Sequence, residues 1–417
     1  MRSCCSGPNG SICHQRAAVC LGSVRPRASQ ATAVRRITEA ADRGVHPRRI
    51  CSPATAGSTD RESNYDSVSF RQDSGSSAST SSVIDVNDKA QTESKMDELQ
   101  QFLRAELDRI FGGGSVSRER YAADMRFSDP VVSYASLDGF IFNVQALRTA
   151  FTVQFNLLDI GINGPNEIKT RWTMSLKSRF LPWQPNLVFS GCSYYTIDTA
   201  YGKIAGQRDV WDAIQDNSSP SIEGIAHVIK QLTTIQLTPS LDSPHYTVLK
   251  KTKEYEIRQY SPYLVAETNM PSDARPAGGD GFTELAGYIF GGNSSKTKME
   301  MTTPVISTGG QQGAHGDKMQ FPIERKYGED PETLPLPNDS KVTRKMQEGG
   351  ILAATSFGGI PLDFEVTEAE RKLRAALLLD GHKAQEGYQL ARYNDPFTLP
   401  FLRRNEVLIG VDNFELK

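Results

Sequence analysis

Apolar residues along the chain recur at two periods, and the switch between them marks out two folded regions. Leu99, Phe102, Leu103, Leu107, Ile110 and Phe111 fall on one face of a helix that Gly112, Gly113 and Gly114 bring to a stop. Val144, Leu147, Phe151, Phe155 and Leu158 predict a second helix. The period then drops to two: Ile168, Thr170, Trp172, Met174 and Leu176 alternate with Lys169, Arg171, Thr173 and Ser175, the pattern of a half-buried strand. Strands over Leu187–Ile197 and Lys203–Trp211 follow a proline-flanked turn. Helices followed by an antiparallel meander predict an α+β cone over residues 96–215. Residues 216–243 then form a helical linker, with Ser219 as cap, Pro220 at the first turn and Ile222, Ile225, Ala226, Ile229 and Leu232 as the packing stripe.

The remainder, residues 244–417, carries a degenerate repeat. Strands Tyr246–Tyr260 and Tyr263–Thr268, a helix Gly281–Phe290 and a strand Met299–Ser307 make the first copy. Strands Lys341–Gln347 and Ile351–Phe357, a helix Glu368–Leu379 and strands Tyr388–Tyr393 and Arg403–Val411 make the second. Thr367 and Glu370 give the second helix the spacing of a capping box. Two such units predict a distorted β-barrel flanked by two helices; Gly309–Gly316 and Glu329–Asp339 read as loops between them.

Within the first copy, residues 280–305 concentrate the candidate chemistry. Asp280 is placed to cap the helix, Phe282, Leu285, Ala286, Ile289 and Phe290 form its apolar face, and Gly291 and Gly292 end it. Lys296 and Lys298 follow in a loop, and Met299 and Met301 give a soft apolar edge. An apolar ledge rimmed by cations suits a flat ring that carries carboxylates.

Composition narrows the functional classes. The net charge of −2 over 417 residues gives no field to recruit nucleic acid. No run approaches the roughly 18 apolar residues needed to span a bilayer. Five of six cysteines lie within the first 51 residues, leaving Cys192 alone beyond them; with that region removed, a disulfide or a multi-cysteine metal site is excluded. Residues 1–50 are Arg- and Ser-rich and reach Glu39 before the first acid, the composition of an organelle transit peptide, plastid ahead of mitochondrion. Residues 51–95 read as a disordered polar linker. Asp124, Asp129 and Arg171 are the polar groups available to a pocket in the first domain, and no histidine lies between His46 and His227 to form an acid–base dyad with them. No phosphate loop or nucleophile elbow is present, and the chain is read as a non-enzyme.

Phe282, Leu285, Tyr288, Ile289, Gly291, Asn293 and the run Lys298–Val305 resemble the SOUL family of haem-binding proteins. Tyr246–Leu249 and Tyr255–Pro262 upstream, and Tyr393–Val407 downstream, extend the likeness over roughly residues 244–413. Tyr121, Phe127–Pro130, Arg171, Trp172 and Trp211 resemble the nuclear-transport-factor-2-like group, in its uncharacterised plastid subfamily. The SOUL resemblance implies a barrel with two flanking helices and non-covalent binding of haem or porphyrin. Arg258, Lys296 and Lys298 would be the carboxylate partners, and Phe282, Leu285, Tyr288, Ile289, Met299 and Met301 the wall. Where some members carry histidine within the Tyr-Glu-Ile-Arg-x-Tyr segment this chain has Gln259, so the implied site has a weak axial ligand or none. Plastid relatives further imply an alternative, an adaptor at the surface of a plastoglobule or eyespot lipid body.

Overall fold

The computed structural model describes residues 81–270, 279–309 and 316–416. The transit-peptide reading of residues 1–50 and most of the linker reading lie outside them. The first domain opens with α1 (Ser81–Phe111), followed by β1 (Tyr121–Ser128), the short β2 (Ser133–Tyr134) and α2 (Leu137–Ala150). A meander of β3 (Phe151–Ile162), β4 (Glu167–Ser178), β5 (Asn186–Asp198) and β6 (Lys203–Trp211) completes it. The sheet order is β2-β1-β6-β5-β4-β3, and β1 joins the meander by pairing parallel to β6. Leu99, Leu103, Leu107 and Ile110 of α1 and Phe140 and Val144 of α2 pack with Met125, Ile168, Tyr195 and Ile204 of the sheet. This is the expected α+β class, with two differences in its elements. Helix α1 begins at Ser81, inside the stretch read as a linker. The second helix ends at Ala150; Phe151, Phe155 and Leu158 belong to β3. Three apolar residues at helical spacing were compatible with a strand whose two faces are both partly covered.

The linker helix is α3 (Ile222–Thr233), capped by Ser221 rather than Ser219: the Ser221 side chain accepts from the Gly224 amide at 2.8 Å. It docks on the first domain through Val228 and Leu232, which join the Trp172, Phe189 and Trp211 cluster. Trp183 Nε1 donates to the Leu232 carbonyl at 2.9 Å, and Gln231 accepts from the Val188 amide at 2.8 Å. Of the stripe expected to pack, Leu232 does so, whereas Ile222, Ile225, Ala226 and Ile229 are exposed.

The second domain runs β7 (Tyr246–Lys251), β8 (Glu256–Tyr260), β9 (Tyr263–Asn269), α4 (Gly279–Ile289), β10 (Val305–Gly309) and β11 (Gly316–Pro322). Its second half is β12 (Thr343–Gln347), β13 (Gly350–Phe357), α5 (Asp363–Leu379), β14 (Lys383–Ala384), β15 (Tyr388–Arg392) and β16 (Asn405–Asp412). The order β12-β9-β11-β10-β15-β16-β13-β8-β7 shows the repeat directly. β10 and β15 meet at the centre, and outward from them β11 matches β16, β9 matches β13 and β12 matches β8. Each copy's first strand, β8 or β12, therefore pairs with the second strand of the other copy.

Several expected boundaries shift. The sheet is a curled half-barrel whose end strands β12 and β7 do not pair with each other. The strand expected over Tyr246–Tyr260 breaks at Thr252, whose side chain and amide bond to Tyr255. Helix α4 starts at Gly279, leaving Asp280 in its first turn rather than at the cap. Helix α5 starts five residues before Glu368. The strand expected at Met299 starts only at Val305, and β11 lies at the edge of what was read as a loop.

Strand alternation gives the second sheet two unlike faces. Ile257, Ala353, Leu390, Val407 and Ile409 share one face with Leu264 and Ala266; there α5 covers the first group and α4 the second. Arg258, Tyr260, Ala354, Tyr393, Glu406 and Leu408 occupy the alternate positions and hence the other face. All described residues lie in one compact unit, Ser76–Lys417. The outer strand β7 meets the first domain: the Lys251 amide donates to Ser190 Oγ at 2.6 Å, and Ser190 in turn bonds Asp212. An edge strand whose backbone groups are taken up in this way is shielded from pairing with another chain.

Gly191 of β5 is flanked by Trp172 on β4 and Trp211 on β6. A Cβ there would sit 2.1 Å from the Val210 carbonyl oxygen, whereas one at Gly161 of β3 would meet nothing within 4 Å. Gly191→Ala should therefore destabilise the first domain by about 1–3 kcal/mol. In thermal melts followed by tryptophan fluorescence its midpoint should fall, while that of Gly161→Ala should stay within error of the parent.

Candidate functional site

Helix α4 forms because an apolar stripe coincides with the gap it covers over β9 and β11. Leu285, Tyr288 and Ile289 are buried there with Met299, and Tyr288 donates its hydroxyl to the Pro335 carbonyl at 2.8 Å. Phe282 is half-buried, its ring edge-on to Phe321 at 5.3 Å. Gly291 ends the helix at φ +105°, and the Gly292 amide returns to the Gly287 carbonyl at 2.8 Å. Asn293, 1% exposed, organises the following loop. Its Nδ2 donates to the carbonyls of Tyr288 and Thr297 at 3.1 and 2.7 Å, and its Oδ1 accepts from the Thr297 amide at 3.0 Å. The Met299 amide closes the loop on the Ile289 carbonyl at 2.8 Å.

This geometry separates the expected wall residues. Leu285, Tyr288, Ile289 and Met299 are 4% exposed or less and form core, not an open ledge. Apolar side chains at that spacing gain more from covering a sheet than from waiting in water. Phe282 and Met301 are half-buried, while Lys296, Lys298 and Phe290 are exposed. Phe290, 57% exposed and directly ahead of the glycine turn, is the surface aromatic that the stripe reading assigned to the buried face. Lys296 and Lys298 form no ion pair among the described residues, in contrast with Lys318 and Lys341, which pair with Glu267 and Glu284.

Arg258 is corrected more sharply. It lies on the sheet face opposite α4 and is 3% exposed. Its Nη1 and Nη2 grip Glu406 at 2.7 and 2.9 Å, and its Nε reaches Glu256 at 2.7 Å. Arg404 donates to the same Glu406 at 2.6 Å, Tyr393 donates its hydroxyl at 2.8 Å, and Lys251 pairs with Glu256 at 3.0 Å. The Arg258 guanidinium also stacks 4.5 Å from the Tyr246 ring, and that of Arg404 4.2 Å from Tyr393. Burial alone would raise the Glu406 carboxyl, but Arg258 and Arg404 hold it well below the usual range. For Glu256 the same contest, with Lys251 and Arg258 as the cations, brings it down to about 2.

Residues 238–244 cross this face and leave a hollow of about 90 Å³ among Tyr246, Tyr260, Tyr263, Tyr393 and Arg404. Ligand pockets for drug-sized molecules start at roughly 300 Å³, so a macrocycle does not enter here. Of the histidines, His227 lies in α3 edge-on to Phe189, His245 is exposed ahead of β7, and His382 follows α5 near Phe414; His315 lies outside the described residues. Among the described residues no histidine lies on α4, its loop or the strands beneath it, and no cluster of three metal-ligating side chains occurs.

Residues 241–410 match the family described as "SOUL heme-binding protein". Two relatives pass 30% identity or reach it while most of their own length is covered. Heme-binding protein 2 of Homo sapiens is 32% identical over 161 residues, 37% of this chain and 76% of the relative. Heme-binding protein 1 of Xenopus laevis is 30% identical over 134 residues, 31% of this chain and 67% of the relative. The chain belongs to the SOUL family. Upstream of the SOUL domain, residues 97–205 match a family described as "Uncharacterized conserved protein (DUF2358)". Among solved structures, a hydrolase from Listeria innocua is similar at TM-score 0.30 and 12% identity, covering 38% of this chain and 92% of that one. An NTF2-like protein of unknown function from Exiguobacterium sp. 255-15 is similar at TM-score 0.21 and 16% identity, covering 30% and 99%.

The buried ion network of the SOUL domain makes acid stability a direct test. Glu256 and Glu406 favour their charged forms more strongly in the fold than in the unfolded chain. Their contribution is complete above the ordinary carboxyl value of 4.5 and is lost as pH falls through about 2. Glu406→Gln leaves Arg404 without a carboxylate and Arg258 with Glu256 alone, and should cost about 3–5 kcal/mol at neutral pH. Urea melts between pH 7 and pH 2 should show the parent losing stability on acidification, and the variant losing less over the same interval.

Proposed function

We propose that the SOUL domain binds a tetrapyrrole non-covalently on the outer side of the α4 turn, and that the protein serves to buffer or carry it. The carrying observation is membership of a family whose relatives here are named heme-binding proteins. The residues around α4 fit such a guest in one particular way. Phe290 offers an exposed ring, Phe282 and Met301 offer partly open apolar surface, and Lys296 and Lys298, without an ion-pair partner among the described residues, can meet the carboxylates at the macrocycle's edge. The buried Leu285, Tyr288, Ile289 and Met299 act beneath them as a platform that fixes the turn. With no described imidazole at this site, recognition rests on the ring and its carboxylates, so metal-free porphyrin is accepted as well as haem. This is a binding role and not a catalytic one. The composition of residues 1–50 supports delivery to a plastid.

Titrating hemin and metal-free protoporphyrin into the protein while following the Soret band tests this reading. The two affinities should agree within about threefold, and Lys296→Glu with Lys298→Glu should weaken both by about three- to tenfold, the scale of two exposed charge contacts. Phe290→Ser should weaken them too. The absence of a saturable change up to roughly 50 μM would reject the reading. Leu285→Asp is unsuitable as a probe, because it buries a charge in the core.

One observation favours a second reading, attachment to a plastid lipid body: Ile222, Ile225 and Ile229 of α3 are exposed on one face. The parent should then float with lipid droplets and an Ile→Ser variant at all three positions should not, with its hemin titration unchanged. A parent that stays wholly in the soluble fraction would dismiss it.

A further inference from the structure

The first domain contains a larger hollow than the one beside Tyr246 and Arg404 in the SOUL domain, and its chemistry is independent of the reading above. A cavity of about 200 Å³ lies between α1 and α2 on one side and β3 to β6 on the other, with Val228 of α3 at one wall. Its lining is mostly apolar and includes Phe155, Trp172, Phe189 and Trp211. Two carboxylates face into it, Asp129 after β1 and Asp209 on β6, and neither has an ion-pair partner among the described residues. No Lys, Arg or His lines it. Arg171, the cation expected to share a pocket with Asp129, turns instead to Asp212 at 2.8 Å; Asp124 is exposed.

The two acids differ in how they are held. Asp129 Oδ1 accepts from the Val131 and Val132 amides, both at 2.7 Å, so that oxygen is spent on a turn. Asp209 Oδ1 accepts from Ser193 Oγ at 2.7 Å and Gln207 Nε2 at 2.9 Å, and Ser193 is itself fixed by Trp172 Nε1 at 2.8 Å. Asp209 Oδ2 has no partner among the described residues. Burial, with Asp129 as a like charge nearby, pushes the Asp209 carboxyl up to about 7 against the pull of its two side-chain donors. Burial raises Asp129 as well. A carboxyl with one saturated oxygen and one free oxygen in an apolar hollow is arranged to carry its proton on the free oxygen and donate it.

We propose that this cavity is a second ligand site, for a small neutral molecule that is mostly apolar and carries one hydrogen-bond-accepting oxygen, which Asp209 Oδ2 engages. The size follows from the volume: an apolar cavity of about 150 Å³ takes a benzene, so this one takes a single ring with a short substituent. The absence of a lining cation excludes an anionic guest. The remaining titratable group among the lining residues is Tyr195 of β5, whose hydroxyl burial holds in the neutral form. His227 packs against Phe189 but does not line the hollow.

The chain has three tryptophans, of which Trp172 and Trp211 line the cavity and Trp183 does not. Full-length protein labelled with ¹⁵N at tryptophan therefore reports occupancy and carries its own control. At pH 6, acetophenone should shift the Trp172 and Trp211 indole signals saturably and leave Trp183 in place. It should bind about two- to tenfold tighter than ethylbenzene, the range one net hydrogen bond supplies. That preference should shrink as pH rises through 7, when the donor proton is lost, and Asp209→Asn should remove the pH dependence. Three results on the parent protein alone would overturn the proposal: no saturable shift with either probe, equal affinity for the two, or tighter binding of 1-phenylethylamine. Hemin binding is unaffected by any of them, so failure here and failure of the tetrapyrrole reading are separable.

Discussion

The buried pairing of Arg258 with Glu406 is the constraint around which the SOUL domain is assembled. It joins β8 to β16 across β13, recruits Arg404 and Tyr393 on one side and Glu256 with Lys251 on the other, and fills the sheet face that no helix covers. A half-barrel whose end strands do not close on each other needs something across that face. Five charged side chains satisfied by one another serve where apolar packing alone would leave register open. A buried ion pair is a poor source of net stability, because desolvation opposes the attraction, but one with every donor placed is intolerant of a strand slipping by one residue. The network also reaches beyond its own domain. Lys251, which closes it, offers its amide to Ser190 of the first domain, so β7 is held on one side by ion pairing and on the other by the Ser190–Asp212–Arg171 group.

This arrangement explains what the sequence could and could not disclose. The repeat was visible because each copy has its own hydrophobic rhythm, and the order of strands about β10 and β15 follows it. The strand β11 was missed, although Met319, Phe321 and Ile323 alternate and the second copy has a strand at the matching place. Arg258 was misplaced for a different reason. In β8 Ile257 and Arg258 are both buried, since one face lies under α5 and the other under the ion network. When both faces of a strand are covered, alternation loses its meaning, and a charge that looks available is internal. The same difficulty arises on α3, where Val228 and Leu232 face the domain and three isoleucines do not. An apolar stripe wider than the surface it packs on cannot tell which of its edges is inside.

The α4 site was partly legible. Helix, glycine stop and basic loop occur where the spacing put them, and Lys296 and Lys298 are open as expected. The division of the apolar face into a buried platform and a narrow exposed rim was not, because it depends on what lies across β9 and β11. The consequence for function is physical. A guest at the proposed site would rest on a fixed surface and lose only part of its own solvent shell, which would favour reversible capture and release over tight retention.

A pocket with Asp129 was legible in the sequence of the first domain, but the rest of its lining was not. Asp129, Trp172, Ser193 and Asp209 are brought together from β1, β4, β5 and β6, and no local spacing relates them. Its energetics nevertheless set it apart from a packing defect. Apolar side chains around a hollow of about 200 Å³ forgo the packing contacts that a continuous core would give them. Two unpaired carboxyls facing the same space add to the cost rather than relieve it. A single larger side chain at Val144 or Val228 would remove much of the penalty, and neither position has one. An occupant that fills the space and accepts a hydrogen bond from Asp209 supplies both the apolar contacts and the missing polar partner at once, which is what couples its binding to the stability of the domain.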